Sequence, residues 1–270
     1  MIAPLPWTLP GRLSGIDVSS AQSRLPWAAI AADGIRFASV KASEATFDDA
    51  RFAAHLAGAR SVGLHTGSYH YLHSSEDGAR QAEHYARQIG SDGELTERPT
   101  LDWEDGWRVA RVGPRVALDS AIAFLRRIRS LTGRRPTVYT GPSFVALFRG
   151  LDLSELADHD LWIAHYRWDP ATGHDYGLEA PTIPAPWSRA VAWQAGGNGA
   201  PRVPGCPVDL DRDVFFGDES AYLAWCKDAP TREPGIQLGD DGPPPRDADR
   251  AAWDASEHGT EATAEPDYTP

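Results

Sequence analysis

Sulfur is scarce in this sequence. The 270 residues hold two cysteines, Cys206 and Cys226, and one methionine. Two thiols cannot build a disulfide framework, and they lack metal-site spacing, which leaves either one bridge or two free thiols. No run approaches the ~18 apolar residues that mark a membrane-spanning helix, so no transmembrane segment is expected. The opening MIAPLPWTLPGRL has no basic n-region and no unbroken apolar core, so a secretory signal is not expected either. There is no basic stripe, which argues against nucleic acid as a partner. No glycine-rich phosphate loop or G-x-S-x-G elbow occurs, and neither cysteine sits near a plausible histidine base. The acidic DLDRD stretch fails as a calcium loop, because Val214 and Ser220 stand where an EF-hand from Asp209 needs glycine and glutamate. No metal and no cofactor are therefore expected.

What is abundant is negative charge, proline and tryptophan. Residues 228–270 hold 11 Asp/Glu and three Lys/Arg, whereas the first 227 residues hold 27 and 23. This tail is acidic, rich in Pro and Gly and poor in aliphatics. It cannot bury enough apolar surface to offset its ordering entropy, and is expected to be disordered. The expected organisation is an N-terminal extension over 1–13, one folded domain over 14–227 and the acidic tail over 228–270. Ten tryptophans supply core, but exposed indoles also stack on sugar rings.

Within 14–227 the pattern alternates. SGIDVSS, IRFASVKAS, LHTGSYHYLH, RPTLDWED and RPTVYTG read as strands. LPWAAIAADG, DDARFAAHLAGARSVG, SEDGARQAEHYARQIG, RVALDSAIAFLRRIRSLTG and PSFVALFRG read as helices between or after them. Then DLWIAHY, RAVAWQAGG and PVDLDRDVFFG read as three strands joined by Pro- and Gly-rich loops, and DESAYLAWC as a closing helix. Eight strands, the first five each followed by a helix, predict a closed α/β barrel that is irregular in its last third.

That fold decides how the acids read. In LDWED, Asp102 and Glu104 share one strand face, opposite Leu101 and Trp103. A parallel barrel has both faces covered, so carboxylates sit comfortably only at the C-terminal rim, where such barrels hold their active sites. Other strands deliver comparable groups to the rim. These are Asp17 from GIDVS, Asp209, Asp211 and Asp213 from VDLDRDVF, Tyr69, His70 and Tyr71 from GSYHYLH, and Tyr139 from TVYTG. LWIAHY adds Trp162 and Tyr166, and AVAWQAG adds Trp193 and Gln194. His70 reads better as a hydrogen-bonded packing residue. Carboxylates amid aromatic faces and amides suit a carbohydrate cleft.

GIDVSS, FASVKASEATFDDARF, GLHTGSYHYLH, LDWED, PTVYTG, LWIAHY, AWQ and DRDVFFG occur in the order seen in the family 25 glycoside hydrolases, the Chalaropsis-type muramidases. The resemblance spans about residues 14–226 and rests on eight motifs in order. It implies an irregular (β/α)5β3 barrel that cleaves the β-1,4 bond between N-acetylmuramic acid and N-acetylglucosamine in peptidoglycan, with retention of configuration. The family's D-x-E motif falls on Asp102 and Glu104, its G-I-D-V-S aspartate on Asp17, and its closing motif on Asp211, with Asp213 in the second place and Asp209 as an extra acid. The implied catalytic set is Glu104, Asp102, Asp17 and Asp211. The implied substrate contacts are Tyr69, Tyr71, Tyr139, Tyr166, Trp193 and Gln194. In KASEATFDD, Lys41 and Glu44 keep the family's places, while Ala45 replaces a glycine.

An acetal needs its leaving oxygen protonated as positive charge builds at the anomeric carbon. Glu104 is the expected acid. Asp102 either attacks that carbon or orients the substrate's own acetamido group, and the sequence leaves both open. The rival from another class is a wall-glycan-binding barrel without activity. A chitinase-like enzyme is disfavoured, because D-x-x-D-x-D-x-E is absent. The expected partner is the glycan strand of peptidoglycan, met by a monomer at the extracellular cell wall after phage-type release or non-standard export. Arginine makes up 24 of the 26 basic residues, which suggests a high-GC coding sequence.

Overall fold

The computed structural model describes residues 5–90, 95–197 and 199–227. The acidic tail over 228–270 lies outside the described residues. Nine strands form one sheet: β1 Leu13–Val18, β2 Phe37–Glu44, β3 Phe47–Asp48, β4 His65–Tyr71, β5 Thr100–Asp102, β6 Thr137–Thr140, β7 Asp160–Ala164, β8 Ala192–Gly196 and β9 Asp211–Phe215. Eight of them close a barrel in the order β1-β2-β4-β5-β6-β7-β8-β9, with β9 returning to β1, and β3 is a two-residue hairpin arm on β2. Pairings from β1 through β8 are parallel, whereas β9 runs antiparallel to both neighbours.

The helices follow the first five barrel strands. They are α1 Trp27–Ala32, α2 Phe52–Ser61, α3 Gly78–Gly90, α4 Gly106–Val112, α5 Pro114–Thr132 and α6 Pro142–Val145, and α7 Glu219–Lys227 is the last described element. The expected irregular (β/α)5β3 barrel is what the structure shows. It differs from the sequence reading in two short elements, β3 and α4. The sequence gives α5 its length and ends: Pro114 occupies the first turn and Gly133 terminates the helix at φ 67°. Ala117, Leu118, Ala121, Phe124, Leu125 and Ile128 recur at helical spacing and are buried. Gly78 allows α3 to approach α5, since a side chain there would lie 1.9 Å from the Ser120 carbonyl oxygen.

Strand alternation builds two apolar layers. Ile16, Val18, Ala38, Val40, Leu101, Trp103, Val138, Leu161, Ile163 and Trp193 face outward into the barrel–helix core. Leu13, Phe37, Tyr139, Trp162, Ala192 and Phe215 face inward, joined by Tyr222 and Cys226 of α7. Gly15 makes room for the Phe37 ring, 2.1 Å from where a side chain would begin. This interior cluster and α7 pack the end of the barrel away from the rim. In the segment ahead of β1, Trp7 rests on Trp168 with centroids 5.4 Å apart, under the Arg212 guanidinium at 4.4 Å. Both cysteines are free and buried. No described helix is long and apolar enough to cross a membrane.

Candidate active site

A cavity of about 220 Å³ opens at the C-terminal mouth of the parallel strands. Its lining includes Asp17, Lys41, Tyr69, Tyr71, Asp102, Glu104, Tyr139, Trp162, Tyr166, Gln194 and Asp211, with Ser39 and Thr100 deeper in. Register explains the grouping. Asp102 pairs with Tyr71 on one side and Tyr139 on the other, at a single level of the barrel. Asp17, near the end of β1, pairs with Asp211, the first residue of β9. The reversed direction of β9 is what brings the start of that strand to the same mouth as the ends of the others.

β5 ends at Asp102, so Glu104 sits in the loop just beyond it rather than in the strand. The alternation persists because Trp103 continues the ladder to the Tyr139 carbonyl at 3.0 Å. Its ring turns outward against Phe144 and Phe148, leaving Asp102 and Glu104 on the inner side. The next residue pins the loop: Asp105 accepts from the Ser74 backbone N–H at 2.8 Å and from its hydroxyl at 2.5 Å. On the far side, Tyr166 leads into a long connection held by Arg167, which donates twice to Asp175 at 2.6 and 2.7 Å.

The acids are unequal. Asp102 is buried, and its Oδ1 has no hydrogen-bond partner. Burial first, and then the charge of Glu104, push its carboxyl well above the usual range, with Lys41 opposing. Glu104 is exposed to solvent at the mouth, yet desolvation by the cavity wall, followed by the charge of Asp17, raises it to about 7. Water in the open mouth softens this effect. Two carboxyls so close are best treated as a pair that holds one proton across a range of pH.

A second group lies across the cavity. Gln194 donates to Asp17 at 2.6 Å and accepts from the Tyr139 hydroxyl at 2.7 Å. Burial lifts Asp17 to about 6, against hydrogen bonds from Gln194 and Asp213. Asp213, with no exposure, accepts from the Trp162 indole at 3.1 Å. Burial and the neighbouring carboxylates, Asp17 before Asp211, raise its carboxyl well above the usual range. Asp211 is raised by burial and by Asp17 and Glu104.

Nine of the ten site residues expected from sequence line this cavity; the exception is Trp193. Trp193 is fully buried on the outer face of β8 and donates to the His165 carbonyl at 2.8 Å, so it cannot meet a ligand in the cleft. Its neighbour Gln194 takes the inner face, as alternation demands. His70 packs as expected, stacked on Phe124 at 4.9 Å and bonded to Ser43 at 2.8 Å. Asp209 is outside the lining and pairs with Arg202. Lys41, Ser39 and Thr100 were not among the expected site residues. Ser39 and Thr100 sit two residues before Lys41 and Asp102 on the same strand faces, a period-two signal visible in the sequence. Among the described residues no group of three or more His, Cys, Asp or Glu side chains could hold a metal ion.

A closed barrel whose mouth presents a carboxyl pair, further buried acids and a ring of tyrosines defines a glycosidase-type site. The sequence matches the family described as "Glycosyl hydrolases family 25" over residues 16–200, and the chain belongs to that family. It is 29% identical to "Lysozyme M1" of Streptomyces globisporus over 222 residues, covering 78% of this chain and 70% of that protein. It is 30% identical to "N,O-diacetylmuramidase" of Chalaropsis sp over 195 residues, 67% of this chain and 87% of the other. Among solved structures, the bacterial lysozyme from Streptomyces coelicolor superposes with a TM-score of 0.68 at 28% identity, covering 79% of this chain and 96% of that one.

Proposed function

We propose that this protein hydrolyses the β-1,4 bond between N-acetylmuramic acid and N-acetylglucosamine in peptidoglycan, with retention. The reading is supported by the family and by relatives named lysozyme and N,O-diacetylmuramidase. The observation that carries it is the pairing of Asp102, whose buried Oδ1 has no partner, with Glu104 at the open mouth. An acetamido N–H at the 2-position of the sugar satisfies Asp102 and favours its ionised form. The shared proton then stays on Glu104.

Glu104 gives that proton to the glycosidic oxygen as the bond to the anomeric carbon breaks. The acetamido carbonyl oxygen closes on the anomeric carbon from the opposite face, while Asp102 takes up the positive charge developing at the N–H. Glu104, now a carboxylate, draws a proton from the water that reopens the ring, and two inversions give retention. Asp17, Asp211 and Gln194 hold sugar hydroxyls on the far wall, and Tyr69, Tyr71, Tyr139 and Tyr166 flank the rings. The enzyme acts as a monomer at the cell wall and takes no nucleic acid.

Digestion of purified peptidoglycan with reducing-end analysis tests this. New muramic acid ends are expected. New glucosamine ends mean a different glycosidase, and binding without new ends means a glycan-binding barrel.

A further inference from the structure

Lys41 is the one cation among the described residues that line the cavity, facing a wall of carboxyls. Its place depends on an irregularity in the strand. Residues three apart on a regular strand point to opposite faces. The β2–β4 register slips between Lys41 and Ser43, and this bulge turns Glu44 back to the side of Lys41, with which it forms an ion pair. Behind it, His73, buried at 1% exposure, meets Glu44 Oε1 through Nε2 at 2.9 Å and Glu76 through Nδ1 at 3.2 Å. Although burial opposes it, the hydrogen bond from His73 and the charge of Lys41 hold the Glu44 carboxyl at about 2. Glu44 is therefore a fixed anion that anchors the ammonium, whose Nζ lies 5.0 Å from the Tyr71 ring centroid. The groups around it are Glu44 on β2, Tyr69 and Tyr71 on β4 with His70 behind them, Asp102 on β5, Glu104 beyond it and Asp17 on β1.

The field of Lys41 is one-sided. It opposes the rise of both Asp102 and Glu104, while the acids on the far wall, Asp17, Asp211 and Asp213, are shifted first by burial and then by neighbours other than Lys41, among them one another, Gln194 and Glu104. Resting on the glycosidase reading above, we propose that Lys41, anchored by Glu44 and His73 at the strand bulge, is a positioning residue that keeps one negative charge on the Asp102–Glu104 pair. Without it, the pair binds its protons more tightly and works in a more alkaline range.

The test is the pH profile of kcat/KM on solubilised peptidoglycan strands for the wild type, Lys41→Met, Lys41→Gln and Lys41→Arg. Both limbs of the bell should move to higher pH in the Met and Gln variants. The shift should be about one unit, the low end of what an opposite charge within ~4–6 Å produces. KM should stay within twofold, and Arg should return the profile toward wild type. Gln keeps a donor for Glu44 and guards against a Met variant that does not fold. Limbs that stay in place, whether rates fall or not, overturn the proposal, as does a loss expressed only in KM. A wild type that releases no reducing ends at any pH would instead overturn the glycosidase reading.

Discussion

Asp102→Asn should weaken catalysis and strengthen the fold together. The side chain is buried at 7% exposure with Oδ1 unpartnered, and asparagine is nearly isosteric but cannot ionise. On the activity side, the substitution removes the charge that steadies the acetamido nitrogen. Losing one preorganised electrostatic partner costs about 10²–10³ in turnover. On the stability side, the carboxyl binds its proton more tightly folded than unfolded, because burial and Glu104 raise it. The stability this group allows is therefore complete below the unfolded value of ~3.9 and is lost as pH rises toward the folded value. Asparagine has no such loss. The variant should match the wild type near pH 4 and exceed it at pH 8 by ~1–3 kcal/mol, the range for a buried group freed of an unmet desolvation cost. A domain of this size gains ~2–4 °C per kcal/mol. Thermal melts at pH 4, 6 and 8, read beside turnover on peptidoglycan, decide it. Equal pH dependence of Tm in the two proteins refutes the burial argument, and unchanged turnover refutes the role.

Glu104→Gln should lose ~10²–10⁴ of turnover with an unchanged melting temperature near pH 5; retention of more than a tenth of the rate sinks its assignment as the acid. Wild-type activity should fall as pH rises through about 7, because Glu104 must carry a proton and is raised to about that value; a profile flat to pH 9 contradicts this. Ala45 is buried with φ 47°, a left-handed conformation that is a severe outlier for a β-branched residue, so Ala45→Val should destabilise by more than ~2 kcal/mol while Ala45→Gly is tolerated. Gly78→Ala drives a methyl to within 1.9 Å of the Ser120 carbonyl and should cost ~1–3 kcal/mol by overpacking, read as a lower denaturant midpoint. A 2-fluoro glycoside with a good leaving group should leave the intact mass unchanged; an adduct on Asp102 would establish a covalent nucleophile instead.

Local alternation made much of this site readable. LDWED placed two acids on one face and a tryptophan on the other, and the structure keeps that arrangement even though the strand stops at Asp102. The same rule, applied with equal care to AVAWQAG, separates Trp193 from Gln194, since adjacent residues on a strand cannot both face the cleft. Strand direction is another matter. Nothing local in DLDRDVFF says that β9 runs antiparallel, so Asp211 reaches the mouth as the first residue of its strand by a route the pattern does not encode. The pairing of Lys41 with Glu44 was equally hidden. It needs a register slip that exists only once β4 is in place. α4 escaped notice because its seven residues follow the acid pair directly and run into Gly113, a break that merges with the loop.

A cluster of acids at one mouth is unstable in isolation, and the arrangement of the barrel explains how it persists. Six carboxyls crowd the mouth or the strands just behind it: Asp17, Glu44, Asp102, Glu104, Asp211 and Asp213. All six could be ionised together only at a large cost in self-repulsion and desolvation. The structure divides them instead. Glu44 is held as an anion by His73 and Lys41, and Asp213 is pushed toward its neutral form by depth and by Asp17. Of the four that remain, Asp17 and Asp211 lie on the far wall, and Asp102 and Glu104 form the pair between which a proton is shared. The apolar end of the barrel, filled by Phe37, Phe215 and Tyr222, supplies the rigidity that holds these charges apart. A substitution that loosened this floor would let water hydrate the carboxyls and bring them back toward their ordinary range, so it should damage catalysis before it unfolds the protein.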